Sequence, residues 1–171
     1  MDIGGLVRKI QEGDSEAFAR LYEETRRSVY YTAYSVCRDK YAAETIMQDA
    51  FVKFYENIGS VDAKHNPYAY LLTISRNLAL NLVKREKSRV TVEPEKVDYV
   101  KNDSTLARDD GLTEFAARVL TEREFRVLML CAVHKYKRHE VGKMLDMPTA
   151  TVTWTYNKAI SKLKKKLEEE Q

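Results

Sequence analysis

Apolar residues recur every three or four positions along most of this chain, the spacing of amphipathic helices rather than strands. Ile3 to Gln11 predicts a short helix with Leu6, Val7 and Ile10 on one face. Asp14 then fits the N-cap of a longer helix carrying Phe18, Leu21, Tyr22, Val29, Ala33 and Val36. A third period runs from Ala42 to Ile58 through Ile46, Ala50, Phe51 and Phe54. Asn66-Pro67 reads as a cap followed by proline at the first helical position, and Leu71, Ile74, Leu78 and Leu82 carry that helix to a basic end at Arg89.

The later part is denser. Thr121 to Glu124 fits a capping box that opens a helix with Phe125, Leu128, Met129 and Ala132 inward. Arg138 to Leu145 predicts a short helix, broken at Asp146-Met147-Pro148. A final helix from about Thr149 carries Val152, Tyr156, Ala159/Ile160, Leu163 and Leu167. A helix, a short helix, a tight turn and a longer helix with a polar outer face match a helix-turn-helix.

Between the two patterns, residues 91–109 hold a proline, polar runs and no sustained period, with 3 Lys/Arg against 5 Asp/Glu. They read as a flexible linker between a module at 1–90 and another at 110–171. Both flanking modules are slightly basic, although the whole chain carries only +3, so a nucleic-acid signal must lie in the distribution of charge. With 6 Gly and 3 Pro in 171 residues there are few breakers, and the expected fold is all-α: two small helical modules, the second a helix-turn-helix.

No stretch is long and apolar enough for a signal peptide or a membrane span, so a soluble, cytoplasmic protein without membrane insertion is expected. Cys37 and Cys131 each sit inside an apolar helical pattern, which favours burial and a reducing compartment over a disulfide. Cys131, His134 and His139 lack the second cysteine pair of a zinc site, and there is no phosphate loop or nucleophile motif. The expectation is no enzyme, no metal and no cofactor.

Two surfaces could carry function. On the helix after Asn66, the residues Arg76, Asn77, Asn81, Lys84 and Arg85 lie off the apolar face, with Tyr68 and Tyr70 near its start. Aromatics stack on unpaired bases, Lys and Arg neutralise phosphates, and Asn reads base edges; a solvated face above core tyrosines is the plain alternative. On the last helix, Thr151, Thr153, Trp154, Thr155, Asn157 and Lys158 fall outward, and Lys162 and Lys164 to Lys166 suit phosphates, or merely the helix dipole. Trp154 falls about 200° around from Val152, outside its stripe. That suggests a contact with DNA or protein, or packing on the preceding helix.

Three segments resemble, in order and spacing, those of RNA polymerase sigma factors. Ala43 to Phe51 resembles the core-binding segment, Tyr70 to Ala79 the promoter-melting helix, and Leu120 to Leu128 with Pro148 to Lys158 the carboxy-terminal helix-turn-helix. The size resembles the extracytoplasmic-function subgroup, which keeps regions 2 and 4. The resemblance implies that 1–90 is region 2 and 110–171 is region 4. It places Glu44, Gln48, Asp49 and Phe51 against core polymerase. Asn66, Tyr70, Arg76, Asn77, Asn81, Lys84 and Arg85 would act at the minus-ten element, beside a base-capturing loop from about Gly59. Arg138, Thr151, Thr153, Trp154, Thr155, Lys158 and Lys162 would act at the minus-thirty-five element. It further implies promoter DNA and an anti-sigma factor as partners, and a monomer when free.

The sequence departs from the family at Thr45 and Asn81, usually acidic, at Tyr70, usually Trp, and at Asp146, usually small. Thr153 to Thr155 stands where Lys-Ser-Arg is common. Two other readings are a regulator that binds operators without polymerase and a protein–protein adaptor whose helix-turn-helix has lost DNA.

Overall fold

The computed structural model describes residues 2–89 and 111–169, and every regular element among them is helical. They pack as two separate units, one on each side of the undescribed stretch; the linker expected at 91–109 lies outside the described residues.

The first unit holds α1 (Ile3–Gln11), α2 (Ser15–Cys37), α3 (Lys40–Glu56) and α4 (Pro67–Arg89). Aspartates open the first three. Asp2 accepts from the Gly5 amide, Asp14 from those of Glu16 and Ala17, and Asp39 from that of Ala42, each satisfying donors the helix cannot. Helices α2, α3 and α4 pack against one another around Leu21, Val29, Ala43, Ala50, Phe54 and Leu71, and α1 closes the side of α2 through Ile3, Val7 and Ile10. The third helix stops at Glu56 rather than Ile58, where a single 3-10 turn, Ile58–Ser60, begins.

The buried face of α4 is rotated from the expected one. It comprises Leu71, Leu72, Ser75 and Ala79, while Ile74, Leu78 and Leu82 are half-buried flanks. The cause is close approach to α2: small residues let the backbones meet, and the buried Ser75 hydroxyl donates to the Val29 carbonyl at 2.9 Å. A period count that scores only large apolar residues misses a stripe built partly from Ser and Ala.

The second unit contains α5 (Gly111–Val119), α6 (Glu122–Leu128), α7 (Arg138–Leu145) and α8 (Thr149–Glu169). The sequence pattern does not predict α5. The capping box at α6 is present, with the Thr121 side chain accepting from the Glu124 amide and the Glu124 carboxylate from the Thr121 amide. Helix α6 passes into a wider π turn, Met129–Val133. The wider winding shifts the helical phase within that turn, so Ala132 faces solvent instead of the core. Towards the end of α8 Leu167 is also exposed, because the helix packs through Val152, Thr155, Ala159 and Leu163.

Helices α7 and α8 meet at a tight turn. Asp146 adopts a left-handed conformation (φ 51°), and the Met147 amide donates to the Gly142 carbonyl at 2.8 Å. A Cβ on Gly142 would lie 2.6 Å from the Met147 carbonyl oxygen, so only glycine fits. Neither cysteine is fully buried, contrary to expectation: Cys37 ends α2 and Cys131 lies in the π turn, where each keeps an open side.

Candidate functional site

Helix α3 buries Ala43, Ile46, Met47, Ala50 and Phe54, which turns Thr45, Gln48, Asp49 and Val52 outward along one line. Glu44 flanks that line, half-buried. Phe51 does not belong to it. It is only 3% exposed, and its ring lies 4.8 Å from Tyr22 and 6.4 Å from Phe18. It shapes the helix from beneath and cannot itself meet a partner. The sequence reading missed Val52 and Tyr55, both more than half exposed and both off the buried stripe. Two large apolar residues thus lie exposed beside Gln48 and Asp49 on this face.

On α4, Tyr70 (42% exposed), Asn77, Asn81 and Lys84 fall within about 40° of a common line, with Arg85 beside them. From Tyr70 to Lys84 this stripe spans about 21 Å. It begins with an aromatic ring propped 6.1 Å from Phe54, continues with two amides and ends in cations. Tyr68, by contrast, is buried as a core residue. Arg76 is half-buried and lies about 120° from Tyr70 around the helix, away from the stripe. Asn66 is half-buried in a left-handed conformation (φ 57°), and its side-chain oxygen accepts from the Ala69 amide. Its oxygen is therefore engaged in capping α4.

The loop before α4 is internally tied. The Asp62 carboxylate accepts from the Lys64 amide at 2.7 Å and sits 2.6 Å from His65 Nδ1. Those two contacts, the amide first, hold its carboxyl below the ordinary range.

In the second unit the outer face of α8 starts with Thr153, Trp154, Asn157 and Lys158. Trp154 is 62% exposed, with the Lys158 ammonium 4.6 Å above its ring. Thr153 returns its hydroxyl to the Thr149 carbonyl, and Thr151 is half-buried. Thr155 points the other way. It is 2% exposed, its hydroxyl makes no hydrogen bond, and it packs inward beside Val152 and Ala159. No DNA contact is open to it. Arg138 at the start of α7 is exposed, with its guanidinium 5.2 Å from the Tyr156 ring.

Lys162 is not a free cation. It donates to Glu124 at 2.8 Å, and Lys158 reaches the same carboxylate at 3.9 Å. Burial opposes charge on Glu124, yet bonds from Lys162 and from the Thr121 amide and hydroxyl together keep its carboxyl below the usual range. The capping motif assigns Glu124 to the backbone of its own helix; its second partner arrives from α8, 38 residues away, and only the fold supplies it. Half-buried His134 has its pKa pushed down to about 4, chiefly by desolvation. Among the described residues no group of three or more His, Cys, Asp or Glu could hold a metal ion, and no helix is long and apolar enough to cross a membrane.

Sequence and structure comparisons bear on these surfaces together. The family model for sigma-70 region 2 matches residues 21–89, which is most of α2 with all of α3 and α4. Across 98% of its length the chain is 23% identical to the extracytoplasmic-function RNA polymerase sigma factor SigW of Bacillus subtilis, covering 97% of that protein. It is 36% identical to the sigma factor SigK of a Mycobacterium species (strain KMS) over 51% of this chain, and there it spans about half the length of the relative, 46%. Among solved structures, CnrH in complex with the cytosolic domain of CnrY superposes with a TM-score of 0.64 at 17% identity, covering 100% of both chains. The sigma factor RpoE of Bartonella quintana, bound to the anti-sigma factor NepR, gives 0.63 at 18%, covering 90% of this chain and 98% of that one. The last two establish fold. The region 2 match falls on the very helices that carry the α3 and α4 faces, and over almost its whole length the chain is similar to an extracytoplasmic-function RNA polymerase sigma factor.

Proposed function

We propose that the chain is an extracytoplasmic-function RNA polymerase sigma factor that docks on core polymerase through the outer face of α3, opens the minus-ten element with α4 and the loop before it, and reads the minus-thirty-five element with α8. The observation that carries the reading is the α4 stripe. Tyr70 offers a face on which an unpaired base stacks, Asn77 and Asn81 offer donors and acceptors for base edges, and Lys84 and Arg85 neutralise the phosphates beyond them. Melting costs a few kcal/mol per unstacked step, and capture of the freed strand offsets that cost.

On α8, Trp154, Thr153 and Asn157 occupy the positions that reach base edges in a helix-turn-helix, and Arg138 suits a phosphate beside them. The α3 face supplies polar Gln48 and Asp49 flanked by Val52 and Tyr55 for the polymerase. An anti-sigma protein is the partner that would hold the factor idle, as the complex of RpoE with NepR supports by similarity of fold. The free factor acts in the cytoplasm as a monomer.

Permanganate probing of a promoter bound by polymerase and this protein tests the α4 assignment. Reactive thymines should appear in the minus-ten region with the wild type and vanish with Lys84→Glu, Arg85→Glu, while the variant still joins core polymerase. Open complexes of undiminished yield in the double variant would refute the assignment.

A further inference from the structure

Helix α1 precedes the segment matched as region 2, and the function proposed above gives it no part. It nevertheless meets the loop that leads into α4 at three points. The Gln11 side-chain amide donates to the Ile58 carbonyl at 2.8 Å and to the Val61 carbonyl at 2.9 Å, across 47 and 50 residues of chain. An amide has two N–H groups, and here both are spent on the carbonyls at the two ends of one short turn. At the opposite end of α1, a Cβ on Gly4 would clash with the Ala63 carbonyl oxygen, so α1 approaches the loop there only because residue 4 is glycine. Buried Ile3, Val7 and Ile10 seat the helix that makes these contacts.

The rest of the loop is held from within. Asp62 binds the Lys64 amide and the His65 ring, and Asn66 caps α4. Loop backbone is ordinarily the most mobile part of a small domain, since few contacts restrain it. Here the carbonyls of Ile58, Val61 and Ala63 all rest on α1, while Gly59, Ser60, Lys64 and His65 stay exposed on that fixed backbone. We infer that α1 is the positioning element of the base-capturing loop, with Gln11 as its anchor, and that this clamp sets how strictly the loop discriminates among minus-ten bases. The inference rests on the minus-ten role proposed for the loop. Gln11 is a positioning residue and touches no base itself. Selectivity falls when a loop can relax around a wrong base, because pre-organised partners penalise a mismatch that mobile ones accommodate.

Two measurements on the full chain test it. The first is hydrogen exchange of the Ser60, Val61 and His65 amides, which needs neither DNA nor polymerase. The second is transcription by the holoenzyme from a duplex pool randomised across the minus-ten positions of a promoter mapped by run-off. Gln11→Glu keeps the shape of the side chain but points a carboxylate at two carbonyls. It should speed exchange at these amides and lower the ratio of preferred to disfavoured minus-ten bases, each by roughly five- to tenfold, the low end of what removing two hydrogen bonds at an exposed site costs. Affinity for core polymerase and the melting temperature of the second unit should not move. Gln11→Lys restores a donor and should recover most of the base preference.

Faster exchange with an unchanged base preference would overturn the inference, leaving a clamp with no part in selection. Unchanged exchange would show that there is no clamp. If the wild type itself gave no start sites, the minus-ten role of the loop and the inference would fall together, and the exchange result would still report on the clamp separately.

Discussion

At the scale of single residues, Glu124 decides what two lysines of α8 can do. It is a buried carboxylate facing two cations from another helix, and removing one partner of such a pair leaves charge without compensation. Lys162→Gln should therefore cost about 1–3 kcal/mol of stability in the second unit while leaving the salt dependence of DNA binding unchanged. Lys164→Gln with Lys165→Gln should do the reverse, reducing the slope of log K against log salt by up to about 0.9 for each phosphate left without its cation. Salt titrations of DNA binding by the holoenzyme distinguish the two, and a reduced slope for Lys162→Gln would restore it as a phosphate ligand.

The same unit should respond to acid in two steps. His134 is held neutral when folded, so the unfolded chain binds its proton first; stability is complete above the ordinary value of 6.5 and falls as pH drops towards about 4. Glu124 is held ionised, so its share is complete above 4.5 and is lost as pH falls through the lower value it has when folded. Thermal melts should show His134→Gln flattening the upper step alone. An unchanged upper step in that variant would contradict the burial argument.

At the scale of elements, the turn between α7 and α8 is where backbone geometry constrains sequence most. Gly142→Ala should destabilise the unit by about 2 kcal/mol, since the turn must open to admit a methyl group. Asp146→Gly should stabilise it by about 0.5–1 kcal/mol, because glycine takes the left-handed conformation without strain. Urea titration of each variant checks both signs.

Helices with a clear apolar period were legible in the sequence, α1 and α7 to their terminal residues. What was not legible depended on distant partners. The face of α4 turned because Ser75 bonds to Val29, and Ala132 faces outward within a π turn that carries no sequence signal, whereas the burial of Phe51 follows from the α3 period that already held it. Thr155 illustrates the same limit at the candidate site. Counting around a helix gives the angle between residues, but the neighbour that fixes which angle is inside lies elsewhere in the chain.

At the scale of the whole molecule, a net charge of +3 with two of the α8 cations tied to Glu124 predicts weak binding of promoter DNA by the free protein. Under the proposed function, polymerase would make the two units effective, since holding both on one surface would raise their local concentration at the promoter. This also separates a sigma factor from an operator-binding regulator, which must bind specific duplex by itself, usually as a dimer on paired half-sites. Run-off transcription from a genomic-fragment library, using purified bacterial core polymerase with and without the protein, tests that claim most directly. The account predicts new start sites that require the protein and share elements at two spacings upstream. No new start sites with an active core from the same host, alongside tight specific duplex binding by the protein alone, would contradict it.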